Sequence, residues 1–72
     1  MNDEAKQMRL LKSEVESLIS EGYFVLFAAQ TMGCKEFVKM RHNSNGNVMR
    51  ITLKDSQITL MKNGKIVKQY EV

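Results

Sequence analysis

Between Glu4 and Ser20 the apolar side chains recur at helical spacing. Met8, Leu11, Val15 and Leu18 follow one another at intervals of three, four and three, and Leu10 and Ile19 widen the stripe. A stripe of that width is the core-facing side of an amphipathic helix. A helix is therefore expected from about residue 4 to residue 20. Asn2 or Asp3 suits its N-cap, Glu4 suits the positive end of its dipole, and Gly22 suits the left-handed residue just past its C-terminus. The stripe lasts barely two heptads, so it fits a cover for a sheet better than a coiled-coil seam.

From Tyr23 onward the period changes from 3.6 to 2 and turn residues punctuate the chain. Expected strands are Tyr23–Gln30, Cys34–Asn43, Asn47–Lys54, Gln57–Lys62 and Lys65–Glu71. Asn45-Gly46 and Asn63-Gly64 suit the type I′ turn, whose two central residues both need positive φ. Asp55-Ser56 is a weaker turn, and the stretch from Thr31 to Cys34 weaker still. The chain thus reads as one α+β domain over residues 1–72, with the N-terminal helix packed on one face of a four- to five-stranded antiparallel β-meander.

The turns set registers, and the registers sort side chains onto faces. A two-residue tip at Asn45-Gly46 puts Met40 opposite Ile51, Val38 opposite Leu53 and Arg41 opposite Arg50. The next two turns pair Leu53 with Ile58, Ile51 with Leu60 and Leu60 with Val67. One face then gathers Val38, Met40, Met49, Ile51, Leu53, Ile58, Leu60 and Val67, and a one-residue slip would destroy it. The opposite face gathers Lys35, Lys39, Arg41, Arg50, Lys54 and Lys68, with Phe37 and Tyr70, and no carboxylate. The first strand differs from the rest. Tyr23, Val25, Phe27 and Ala29 alternate with Phe24, Leu26 and Ala28, so both of its faces are apolar and call for cover on both sides.

Charge sharpens this division. Residues 1–21 hold three cations against five carboxylates, a net of −2, while residues 22–72 hold eight against three, a net of +5. An acidic helix therefore lies on a basic sheet. A chain of 72 residues buries little core of its own, so a partner subunit is a reasonable expectation. The polar start predicts no secretion signal, the apolar run from Tyr23 to Ala29 is too short to span a bilayer, and a lone Cys34 fits a reducing compartment. The corresponding expectation is a cytoplasmic protein without membrane association.

Catalytic chemistry finds no footing. One Cys and one His make neither a disulfide nor a metal cluster, so neither cofactor nor metal is expected. His42 sits beside a hairpin tip, the serines lack a nucleophile-elbow context, and the glycines are isolated rather than forming a phosphate-cradling loop. No site for a small-molecule substrate is evident. The expectation is a non-catalytic binding or regulatory module of adaptor or inhibitor type, acting through the helix-free sheet face as a homodimer or on a protein partner. Phe24, Leu26, Phe37 and Tyr70 would be its apolar anchors, inside a basic rim. The alternative is nucleic-acid binding, with Lys35, Lys39, Arg41, Arg50, Lys54 and Lys68 against phosphates.

Overall fold

The computed structural model describes residues 3–31 and 34–72, with helix α1 at Asp3–Ser20 followed by β1 (Tyr23–Thr31), β2 (Cys34–His42), β3 (Val48–Lys54), β4 (Gln57–Lys62) and β5 (Lys65–Glu71). The strands form one antiparallel sheet in the order β1-β2-β3-β4-β5. This is the α+β meander that the change of hydrophobic period implies.

The helix buries Gln7, Leu11 and Leu18 and half-buries Leu10, Glu14 and Val15. Met8 and Ile19, expected on the buried stripe, are exposed. The stripe is rotated because Gln7 turns inward, where its Nε2 donates to Ser56 Oγ at 3.1 Å. A buried amide is tolerated only with such a partner. Beneath the helix, Met40, Ile51, Leu53 and Ile58 are almost completely shielded, with Val38, Met49 and Leu60 around them. Burying each of these side chains contributes on the order of 2 kcal/mol, which is the main stabilising term of the fold.

Gly22 ends the helix with φ +106°, and its N–H donates to the Ile19 carbonyl at 3.0 Å. Two of the hairpins turn as their residues imply. Asn63 and Gly64 both have positive φ, the type I′ geometry, and Asp55 and Ser56 also have positive φ without a glycine between them.

The β2–β3 connection is longer than a two-residue turn. Asn45 is not in the left-handed region, and only Gly46 is, at φ +76°. His42 N–H donates to the Asn47 carbonyl at 2.8 Å, so Asn43 to Gly46 form the tip. The imidazole of His42 organises it, since Nδ1 faces the backbone N–H groups of Ser44 at 3.2 Å and Asn45 at 3.3 Å. The longer loop moves the register by two residues, pairing Val38 with Ile51 and Met40 with Met49. A shift of two preserves the faces, so the core survives the difference.

Two bulges do change the faces. In β1, Val25 pairs with Met40 and Phe27 with Lys39, which leaves Leu26 as an extra residue. The alternation flips at that point, so Phe24, Phe27 and Ala29 share the helix-free side with Arg41, Lys39 and Phe37. In β5, Ile66 pairs with Met61 and Lys68 with Leu60, leaving Val67 out of the ladder and exposed. Val67 is therefore not a core residue. Lys68 and Tyr70 instead turn to the helix side, where both bond one carboxylate oxygen of Glu14, Lys68 Nζ at 2.9 Å and Tyr70 Oη at 2.6 Å. The bulge exchanges a buried valine for a half-buried tyrosine that ties β5 to α1.

Candidate functional site: the helix-free sheet face

With the helix covering one side, the other side of the sheet lies open, and the ladder registers decide what it carries. Lys39 and Arg41 alternate with the buried Val38 and Met40, and Arg50 and Lys54 lie out of phase with the buried Ile51 and Leu53. These four cations therefore project from the helix-free face of β2 and β3. Lys39 stands directly opposite Arg50 and Arg41 opposite Val48, so the like-charge pair expected between Arg41 and Arg50 falls one step along. Opposed like charges on a sheet destabilise it by some tenths of a kcal/mol. Among the described residues no carboxylate pairs with any of these four cations; the described salt bridge joins Lys68 to Glu14 on the opposite side.

Beside the cations lies an aromatic group. Phe24 and Phe27 from β1 are exposed, and Phe37 from β2 is half-buried. The rings of Phe27 and Phe37 meet edge to face, with centroids 5.6 Å apart and planes at 61°. That arrangement is favourable for a quadrupole pair and leaves ring surface open to solvent. Along β4 and β5 the face turns neutral, with Gln69 Nε2 donating to Thr59 Oγ1 at 2.9 Å. Its far margin holds Glu71, opposite Gln57. The face thus grades from aromatic through strongly basic to polar.

The anticipated residues divide as follows. Lys39, Arg41, Arg50, Lys54, Phe24 and Phe37 are brought together on this face. Lys68 and Tyr70 are removed from it by the bulge at Val67 and belong to the helix side. Leu26 sits in the β1 bulge, outside the alternation that was to place it here. Lys35 lies in β2, but its side chain falls outside the described residues, as does that of Cys34. Phe27 is the residue that alternation missed, because the bulge reverses the phase of β1 just before it. Two adjacent apolar phases in one edge strand were the available signal.

The Glu14–Tyr70–Lys68 cluster is a structural clasp. Burial pushes the Glu14 carboxyl up, but hydrogen bonds from Tyr70 and Lys68, with the Lys68 charge, outweigh it and hold the group below its usual range. Burial, the hydrogen bond to Glu14 and the charge of Glu14 push the Tyr70 hydroxyl up to about 12. His42 is likewise engaged within the fold, its Nε2 lying 2.9 Å from the Glu21 carbonyl. Among the described residues there is no grouping of His, Cys, Asp and Glu able to hold a metal ion, and no helix long and apolar enough to cross a membrane. No family model, curated protein or solved structure matches the chain.

Proposed function

We propose that this protein is a small non-catalytic binding module whose helix-free face holds a polyanion, with single-stranded nucleic acid as the ligand that the face fits best. One observation carries the reading. Four cations that pair with no carboxylate among the described residues, Lys39, Arg41, Arg50 and Lys54, share an open face with Phe24, Phe27 and Phe37. Holding Lys39 against Arg50 costs stability unless an anion bridges them, and phosphates supply that anion. Exposed ring faces next to such a row are stacking surfaces for unpaired bases, each worth roughly 1–3 kcal/mol. An open sheet offers no helix or ribbon for a duplex major groove, which favours a single strand.

The adaptor reading loses ground on this geometry. Of the four apolar anchors it used, Tyr70 packs against the core and Leu26 lies in a bulge. A homodimer formed face to face would also press two sets of uncompensated cations together, so self-association through this surface is disfavoured.

Fluorescence anisotropy of a labelled thymidine oligonucleotide across 50–200 mM salt tests the proposal. Four phosphate contacts on a single strand give a slope of about 0.7 per contact, so affinity should fall roughly 50-fold over that range. Arg50→Glu should flatten the slope. Phe37→Ala should weaken the oligonucleotide but leave heparin, a polyanion without bases, unaffected. Absence of binding at 50 mM salt, or binding indifferent to salt, would overturn the reading.

A further inference from the structure

We propose that β1 is a self-pairing edge: two copies of the chain join antiparallel along Tyr23–Thr31 and make one continuous ten-stranded sheet. β1 lies at the margin of the sheet with only β2 beside it, so one side of its backbone ladder is open. Its residues Phe24, Val25, Leu26 and Phe27 are 45%, 42%, 45% and 47% exposed. Phe24 and Phe27 lie on the helix-free side and Val25 on the side of Met40, so this middle stretch of the strand is exposed on both faces, although Tyr23 at its start is buried. Together these four residues expose on the order of 300 Å² of mostly apolar surface.

The occupant follows from charge. In an antiparallel two-fold pair residue i of one copy faces residue j of the other and j faces i, so a self-pairing edge avoids opposed like charges in every register only when the strand carries no charge. From Tyr23 to Thr31 there is no Lys, Arg, Asp or Glu, and this edge alone satisfies the condition. The other edge, β5, carries Lys65, Lys68 and Glu71, and charges on an edge strand keep it from pairing; both edges hold a bulge, at Leu26 and at Val67, so charge is what separates them. Charged flanks with a neutral, apolar β1 therefore select β1 against β1, a closed two-fold contact, over β1 against β5, which would propagate as a filament.

The symmetry has a consequence for the face. A two-fold axis perpendicular to the sheet keeps both helices on one side and both helix-free faces on the other. The two sets of Phe24, Phe27 and Phe37 then meet at the centre, flanked on each side by Lys39, Arg41, Arg50 and Lys54. The cation rows stay apart, unlike in a face-to-face pair. The inference stands independently of what binds the face.

Sedimentation or light scattering across protein concentration, with amide hydrogen exchange, tests it. The wild-type chain should run at twice its 8.3 kDa mass, with β1 amides protected on the side away from β2. Leu26→Lys places a charge on an exposed position of the edge and should give a folded monomer with at least a 30-fold weaker dimer constant. Val67→Lys, exposed at the other edge, should leave the dimer unchanged. Circular dichroism of both variants separates loss of pairing from loss of fold, and Val25→Lys supplies a second β1 charge should Leu26→Lys unfold. A wild-type monomer at millimolar concentration, a dimer that survives both β1 charges, a series of species beyond the dimer, or dissociation by Val67→Lys would each overturn the inference. Oligonucleotide binding by the Leu26→Lys monomer is a separate readout, so failure of the dimer and failure of the binding face are told apart.

Discussion

Replacing Gly22 by alanine tests the junction on which the orientation of the helix depends. Gly22 sits at φ +106°, a region that L-residues rarely adopt, and forcing alanine there costs about 1–3 kcal/mol. The second cost is contact. A Cβ at this position would lie 2.7 Å from His42 Nε2, with Cε1 and Cδ2 at 3.2 and 3.4 Å. A ring at the end of a side chain often swings aside cheaply, but this one is pinned. Its Nε2 donates to the Glu21 carbonyl at 2.9 Å, its Nδ1 accepts from the β2–β3 loop, and the ring of Tyr23 meets it edge-on at 4.9 Å. Displacing it forfeits at least one hydrogen bond, worth about 1 kcal/mol, and loosens a loop. The sum is roughly 2–4 kcal/mol, against a total stability of about 4–11 kcal/mol for a domain of this size. Urea unfolding followed by circular dichroism measures it directly. In a His42→Ala background the contact is absent, so Gly22→Ala should there cost only its backbone share, leaving a coupling of about 1 kcal/mol. A cost below about 0.5 kcal/mol in the wild type, the size of an ordinary surface substitution, refutes the backbone argument; equal costs in both backgrounds refute the contact argument.

Other outcomes follow from the same packing. The folded Glu14 carboxyl titrates below its ordinary value, so the clasp is fully present above the unfolded pKa of 4.5 and should be lost as pH falls through the folded value; pH-dependent melts of Glu14→Gln should lack that acid limb. Tyr70 is raised from 10 to about 12, so its share is complete below pH 10 and lost as pH rises toward 12, and Tyr70→Phe should cost about 2 kcal/mol and abolish the alkaline limb. Asn63→Ala removes both a left-handed asparagine and the acceptor of the Val48 N–H at 2.9 Å, and should lower stability by about 1–3 kcal/mol in denaturant titration. Lys39→Gln relieves the repulsion with Arg50, so it should raise the melting temperature slightly while weakening oligonucleotide binding, and a variant stable and equally tight would argue against the basic row.

The period of the hydrophobic pattern by itself determined one helix, five strands and an aliphatic face running through Val38, Met40, Ile51, Leu53, Ile58 and Leu60. Alternation is insensitive to even shifts, which is why that face stands although the loop at Asn43–Gly46 slides β3 two places along β2. The same logic placed Lys39, Arg41, Arg50 and Lys54 together on the open side. Odd shifts are different, because each one turns the rest of a strand over. The bulges at Leu26 and Val67 are such shifts; the doubled apolar phase of β1 hints at the first, and nothing in the local composition of β5 marks the second. They reflect how the strands fit their neighbours and the helix: Tyr70 and Lys68 turn inward where Glu14 can receive them, and Phe27 turns outward beside Phe37. Gln7 repeats the lesson on the helix, since its burial makes sense only with Ser56 beside it, 49 residues along the chain. Local pattern decides which residues are apolar and how they repeat; only long-range packing decides where a strand slips by one, and so which of its residues the open face presents.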